Sequence, residues 1–535
     1  MIFFYYPLIL ISILGYGLFV SKKLIKLNTV NLGYLGIVGI FFLLLISYIS
    51  TQFIAHDQVF NTLILLIGLS LFIFYFDQLN IDKKNIKILI IIFVLSLIFI
   101  LIGKNHDDFH YYHLSYIVTL TEYPHPIGLG KLNHGFKTHS SIFLLSSLFS
   151  LPGAKYNLFH LAPAYIMIFS NFILIKLIFN KDISKNYIFI TFLSLSSLVF
   201  INSFFYRLGE HGTDRSAMIL IILLLVNYIY FINKNSEKIN SDYLKIFIII
   251  ITIIISLKTL YIVYVVLFFP LIIYIYQRTK SVNLFINKNL FLCFLLFGLV
   301  ILTNFLNTGC LLFPEKKTCF FNTLWSLPLS TVEYLGIHYE NWAKAGSGAG
   351  YALKDIDKLN YISDFNWVQN WIDKYFFNKV SDFLFSLACM MIIFVSLFKS
   401  SKSLKNYKRN YKLLFIVLFI IFAIWFSLHP LLRYGGYHLF FLIAFIPTSL
   451  FLEKFSRNIK NLDRKILLIV MITVFVFIGR NANRLVKEYK INTYNPLVDV
   501  NYPLKKNSFS MQKRIKKKID EKKTKEIYRN RYIIF

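Results

Sequence analysis

The sequence predicts an all-α polytopic membrane protein that crosses the bilayer about 12 to 13 times. Three observations predict it. Of 535 residues, 57% are hydrophobic and only 16% charged, more apolar surface than a water-soluble core of this length can hide. Nearly uncharged runs recur, among them Ile88 to Gly103 and Leu290 to Phe305, each about long enough to cross some 30 Å of hydrocarbon as a helix. Basic residues sit mainly in the short connections between these runs, which is the positive-inside pattern.

Spans are expected at roughly 2–20, 30–50, 60–76, 88–103, 156–179, 187–205, 216–232, 245–275, 285–306, 382–398, 413–428, 437–452 and 466–479. The first begins at Ile2 with no basic leader and no small-residue cleavage site, so it reads as a retained span and not a removable signal peptide. Basic clusters follow at Lys22, Lys23 and Lys26, at Lys83, Lys84 and Lys87, and at Lys402, Lys405, Lys408, Arg409 and Lys412. These loops are assigned to the cytoplasmic side of a bacterial inner membrane. The net charge of +31, which in a soluble chain points to nucleic acid, is thereby accounted for, and no nucleic-acid partner is expected. Parity then places 104–138, 206–215, 307–381 and 429–436 on the external side.

The long run 245–275 is interrupted at Ser256, Leu257 and Lys258. A charge at the bilayer centre costs roughly 2.5 to 3.5 kcal/mol, so the run is read as two short helices meeting at the external surface. Ser140 to Leu151 is apolar but too short to cross, and a re-entrant or membrane-surface helix fits. After Gly479 the chain turns polar and lysine-rich; parity puts it outside, although its charge favours the other side. The expected organisation is N-terminal helices over 1–87, a core over 88–480 and a basic tail over 481–535. Cys293 and Cys389 lie in apolar runs and read as core thiols.

Candidate chemistry concentrates in the external loops. His106, Asp107, Asp108, Phe109 and His110 follow the fourth span directly. Adjacent carboxylates repel, so one pKa rises unless a cation lies between them, and one of the pair suits a general base for an acceptor hydroxyl. The plainer alternative is a turn in which Asp caps the helix starting near Phe109. Six of the 12 histidines, His106, His110, His113, His125, His134 and His139, fall in this region. His106 and His110 have i, i+4 spacing, and with Asp107 and Asp108 they leave a divalent cation as an open option, against ordinary hydrogen bonding at the interface.

Arg207, Glu210, Asp214 and Arg215 place two carboxylates and two guanidinium groups at one membrane edge. They either pair with each other or leave an Arg to hold phosphate bidentately. Lys258 and Arg433 are further external cations beside apolar helices, and an anionic lipid head group meets both demands; a snorkelling side chain is the competing account. In the longest external loop, Cys310 and Cys319 either form a disulfide, contributing about 2 to 3 kcal/mol, or remain thiols. Val368, Trp371, Ile372 and Tyr375 recur at i, i+3, i+4 and i+7, which predicts a short helix lying on the membrane surface. Ala345 to Gly350 is glycine-rich but lacks a Lys followed by Ser or Thr, and reads as a hinge and not a phosphate cradle.

A span, an external loop opening with Asp107 and Asp108, a second acidic loop with Glu210 and Asp214, a broken helix pair with Lys258 and a late loop with Arg433 together resemble the membrane-embedded glycosyltransferases of the C fold (GT-C). Those enzymes take a sugar from a polyprenyl-phosphate carrier outside the membrane. The resemblance implies that Asp107 or Asp108 is catalytic base or metal ligand and that Lys258 and Arg433 contact the carrier phosphate. Tyr112, His113 and Leu114, then Gly128, Leu129 and Gly130, Ser140, Ser141 and Phe143, and later Gly309, Cys310, Leu311, Pro314 and Cys319 resemble an uncharacterised family of bacterial polytopic proteins over roughly 85–440. Three further spans precede the span that leads into the acidic loop, where many such transferases have none, and their paired proline is absent after His139.

The expected function is transfer of a sugar from a polyprenyl-phosphate carrier, held beside membrane lipid, to a cell-envelope glycan or lipid. Asp107 and Asp108 are the catalytic candidates; His113, Arg207, Glu210, Asp214, Lys258 and Arg433 are the binding ones. The alternative is a polymerase, ligase or transporter of lipid-linked saccharides in which the same groups bind without reacting, and a structural or assembly subunit of an envelope complex is a third reading.

Overall fold

Apolar runs of this length form helices because a helix satisfies every backbone group within its own segment without water. The structure is a computed structural model describing residues 1–28, 31–78, 82–102, 108–210, 212–233, 241–346, 357–399, 411–455, 461–499, 503–505, 508–523 and 534. Its first helices are α1 (Ile2–Phe19), α2 (Leu32–Ser50), α3 (Gln58–Tyr75), α4 (Lys83–Ile100), α5 (Leu114–Glu122), α6 (Ser141–Ser147) and α7 (Leu161–Ile178). Then follow α8 (Lys181–Asn186), α9 (Ile188–Phe204), α10 (Thr213–Asn233), α11 (Ser241–Leu257), α12 (Phe268–Thr279), α13 (Lys288–Thr308) and α14 (Leu329–Lys344). The last are α15 (Lys358–Ile362), α16 (Val368–Trp371), α17 (Ser381–Phe398), α18 (Lys412–Leu428), α19 (Gly436–Phe455), α20 (Leu462–Asn492) and α21 (Ser510–Lys523).

Among the described residues, nine helical segments are long and apolar enough to cross a membrane, and α9 and α18 are shorter apolar helices. This is the make-up of a multi-pass membrane protein. Helix starts follow the sequence closely. Asn31 accepts from Tyr34 N at 3.1 Å, Asp57 from Phe60 N at 2.8 Å, and Asn287 from Leu290 N at 3.1 Å, each satisfying a backbone donor that the first helical turn leaves open.

The helices divide into a centre and a rim. Within α2, α7 and α10, 83%, 89% and 94% of the most apolar window is buried, whereas α3 buries 22%. The rim therefore presents large apolar side chains outward, Phe74, Phe385 and Phe475 among them, as lipid contact requires. Close approach at the N-terminal end of the chain depends on missing side chains: a Cβ on Gly15 of α1 comes within 1.9 Å of the Gly68 carbonyl oxygen of α3. These N-terminal helices belong to the same bundle as the rest, since Tyr165 of α7 donates to the Tyr6 carbonyl at 2.7 Å.

Contacts between connections sort the bundle into two ends. At the basic end, Asn28 N donates to Asp242 at 2.9 Å, Lys245 to the Lys26 carbonyl at 3.0 Å, Lys176 to Asn85 at 2.7 Å and Lys465 to the Leu397 carbonyl at 2.7 Å. At the opposite end, His56 N meets the Leu120 carbonyl at 2.8 Å and Gly128 N the Leu306 carbonyl at 2.7 Å. Thus α4, α11 and α20 also run from end to end. The run 245–275 is a hairpin of two crossings, α11 and the segment Thr259–Thr279, bent at Lys258 at the opposite end. Ser140–Ser150 is buried between helices as α6 and its flanks, with Ser47 Oγ donating to the Leu144 carbonyl at 2.8 Å.

One expectation is corrected. The pattern of Val368, Trp371, Ile372 and Tyr375 does not form a separate surface helix: α16 passes through the π-helical segment Ile372–Val380 into α17, giving one helix over Val368–Phe398. Its apolar stripe faces protein, because Trp371 and Tyr375 are buried against the 429–435 connection. Beyond its apolar part, α20 continues to Asn492. The tail's described residues lie at the opposite end from the basic loops, where α21 packs on α5 and Gln512 donates to Glu122 at 2.8 Å.

Candidate functional site

Three chain features bring charge together at this end. The helix following the acidic pair starts at Phe109, and Asp108 makes no capping hydrogen bond to it. Its carboxylate lies 3.8 Å from the Arg433 guanidinium. Asp214, in the first turn of α10, pairs with Lys258 and lies 3.8 Å from Arg433 Nε. Lys258 reaches it because the backbone there is extended, which ends α11 and starts the return crossing.

Arg433 owes its position to a braced connection. Trp371 donates to the Pro430 carbonyl at 2.8 Å, Trp425 to the Leu431 carbonyl at 3.0 Å, and Leu432 N to the Tyr375 hydroxyl at 2.9 Å. Gly435 follows at φ +148, with Trp425 so near that a Cβ would sit 3.2 Å from it. Tyr434 presents its ring to both cations, 4.4 Å from Lys258 and 5.0 Å from Arg433. Beneath them, burial and then the carboxylates of Asp108 and Asp214 push the Tyr112 hydroxyl well above its usual pKa.

Two carboxylates and two cations thus balance. Asp108 is 32% and Arg433 42% exposed, so the cluster opens outward. Beside it runs an apolar cleft between the Thr259–Leu267 helix and α18, lined by Tyr261, Tyr264, Trp425, Leu428, His429 and Tyr434. Burial, helped by the positive charges of Lys258 and Lys344, lowers the His429 pKa to about 4, so this wall of the cleft is uncharged at neutral pH.

Arg207 and Glu210 stand apart from this cluster. Arg207 grips Glu210 through two hydrogen bonds of 3.0 and 2.7 Å, and Arg484 of α20 completes the clamp on the buried carboxylate. Arg484 is not a candidate from sequence because the polar run after Gly479 reads as tail; the i, i+4 pair Arg480 and Arg484 directly after an apolar run is the available signal. His113 is buried, packed 4.9 Å from the Phe143 ring. His110 hydrogen-bonds Ser508 of the tail at 2.6 Å. Cys310 and Cys319 are disulfide-bonded.

Two further histidines bridge separate chain segments through buried hydrogen bonds. His139 bridges Tyr48 at 2.7 Å and Tyr116 at 3.2 Å, and His56 bridges Ser50 and Ser147, each at 2.7 Å. Burial lowers the pKa of His125 to about 4, and of His139 to about 3, where His125 adds to the effect. Among the described residues, no group of three or more His, Cys, Asp or Glu side chains is placed to hold a metal. His106, Asp107 and most of Ala345–Gly350 lie outside the described residues.

No match to the chain was found among curated proteins or among solved structures. Residues 1–441 match the family described as a domain of unknown function, DUF8201, and the chain belongs to that family.

Proposed function

We propose that this DUF8201 member is a C-fold glycosyltransferase that moves a sugar from a polyprenyl-phosphate carrier to a cell-envelope glycan or lipid on the outer side of a bacterial inner membrane. The observation that carries the reading is the convergence of Asp108, Asp214, Lys258 and Arg433 beside an apolar cleft, with Tyr434 lining the cleft and touching both cations. A carrier with a greasy chain and an anionic head needs that combination of surfaces.

In this reading Asp108, the more exposed carboxylate, accepts the proton of the acceptor hydroxyl as its oxygen bonds to the sugar carbon. The bond from that carbon to the carrier phosphate breaks, and the phosphate keeps the electron pair. Arg433 and Lys258 stabilise the charge left on it, and Asp214 holds both cations in place. Contacts of 3.8 Å between partly exposed groups are weak, so Arg433 exchanges Asp108 for phosphate at small cost.

The test is a strain carrying Asp108→Asn, alone and with Asp107→Asn, with lipid-linked glycans compared by mass spectrometry. Accumulation of one carrier-linked sugar and loss of one envelope glycan are expected. Unchanged glycans in a strain whose variant protein is present at normal level would remove the proposal.

A further inference from the structure

The second charged group at this end is not balanced. Arg207, Arg480 and Arg484 gather about Tyr206 and Glu210, and Arg215 lies within electrostatic reach of Arg207, Glu210 and Arg484. Asp214, the neighbouring carboxylate, is engaged by Lys258 and Arg433. Four guanidinium groups therefore stand near Glu210 and, for Arg215, near Asp214, which Lys258 and Arg433 already engage. Arg215 makes no hydrogen bond to another described residue. Guanidinium groups held this close repel, and an anion with several oxygens relieves them.

Directly below Arg480 lies a groove bounded by α4, α7, α9 and α20, with Leu95, Ile175, Leu198, Val470, Val474 and Phe477 on its walls. Its polar side chains are closed on protein partners. Asn171 and Asn202 exchange amide hydrogen bonds at 3.1 and 3.0 Å, Ser96 donates to the Ile92 carbonyl, and Thr473 to the Ile469 carbonyl, both at 2.8 Å. What remains is a hydrocarbon surface. Arg480 links groove and cluster: it donates to the Ser203 carbonyl at 2.6 Å and lies 3.9 Å above the Tyr206 ring, one helical turn above Phe477.

We propose that this is a lipid site, separate from the Asp108–Arg433 cluster, which takes a lipid with a phosphate head group: the head against Arg207, Arg215, Arg480 and Arg484, a tail in the α4/α7/α9/α20 groove. Charge complementarity selects the head and the closed polar groups select the tail. The wall supplied by α20 lies beyond residue 441, outside the family match.

Native mass spectrometry of the full chain in detergent tests this without any readout of sugar transfer. Three probes are compared: phosphatidylglycerol, diacylglycerol of the same tails, and glycerol phosphate. Retention of phosphatidylglycerol alone is expected. Arg480→Gln, which leaves the Glu210 clamp intact, and Val474→Trp, which fills the groove and leaves every arginine in place, should each weaken retention about tenfold. Lys513→Gln, on the exposed face of α21, should leave it unchanged. Wild-type retention in both Arg480→Gln and Val474→Trp overturns the site. Equal retention of diacylglycerol removes the arginine head site, and displacement of the lipid by glycerol phosphate at equal concentration removes the groove's part.

Discussion

The two charged clusters sit side by side, joined by consecutive residues, Asp214 and Arg215, of α10, and they are built for different ends. In one, Asp108, Asp214, Lys258 and Arg433 cancel in charge, and two of their three ion-pair contacts are as long as 3.8 Å. In the other, Glu210 is only 3% exposed and is held by Arg207 and Arg484. Loose pairs between partly exposed groups contribute roughly 0 to 1 kcal/mol each and reorganise readily. A buried carboxylate between two guanidinium groups is costly to disturb, because whichever side is removed leaves charge unpaired in a poorly solvated place. The difference separates groups available for chemistry from groups that fasten α20 to the loop before α10.

That division predicts opposite outcomes for two conservative changes. Asp108→Asn should lower sugar transfer by about 10² to 10⁴, the value of a general base, and leave the thermal midpoint of the purified protein within a degree or two. Glu210→Gln should do the reverse first, lowering stability by about 3 to 5 kcal/mol, seen as a lower melting temperature and reduced yield. Should Glu210→Gln fold normally while Asp108→Asn unfolds, the roles assigned to the clusters are exchanged.

Much of the bundle was legible because it rests on strong signals. Long apolar runs, lysines at their ends and one lysine interrupting a run place nearly every helix, including the bend at Lys258. The gathering of Asp108, Asp214, Lys258 and Arg433 was legible at the level of which end each occupies, since parity puts three of them together and the interruption of 245–275 puts Lys258 with them. The Glu210 clamp was not, because half of it comes from Arg484 on a helix whose apolar part stops at Ile478. Trp371 and Tyr375 show a second limit. Their periodicity correctly indicated an apolar stripe, yet a stripe does not record whether lipid or protein covers it. Histidine density carries the same ambiguity. His56 and His139 are buried hydrogen-bonding bridges between helices, and a buried bridge and a ligand look alike in sequence.

The bracing of the Arg433 connection offers a smaller test. Trp371→Phe keeps the ring packing but removes the hydrogen bond to the Pro430 carbonyl, worth about 0.5 to 1.5 kcal/mol. Because this bond positions the connection that carries Arg433, transfer should fall several-fold, chiefly through weaker carrier binding, with the Glu210 clamp undisturbed. An unchanged KM for the carrier would show that the brace serves only the fold.

The smallest effect concerns pH. His429 has its pKa lowered to about 4, first by burial and then by Lys258 and Lys344, whereas an unfolded chain takes up the proton near 6.5. Between those values the unfolded state binds more protons than the folded one, so stability rises with pH across the window and is lost as pH falls from about 6.5 towards 4. His125 and His139, lowered by burial in the same direction, add to that loss. His429→Gln removes one of these contributions beside the balanced cluster. The fall in melting temperature between pH 6.5 and 5 should therefore be shallower in His429→Gln than in the wild type. An equal slope would mean that His429 meets solvent, and that the cleft wall next to Arg433 is wetter than its apolar lining indicates.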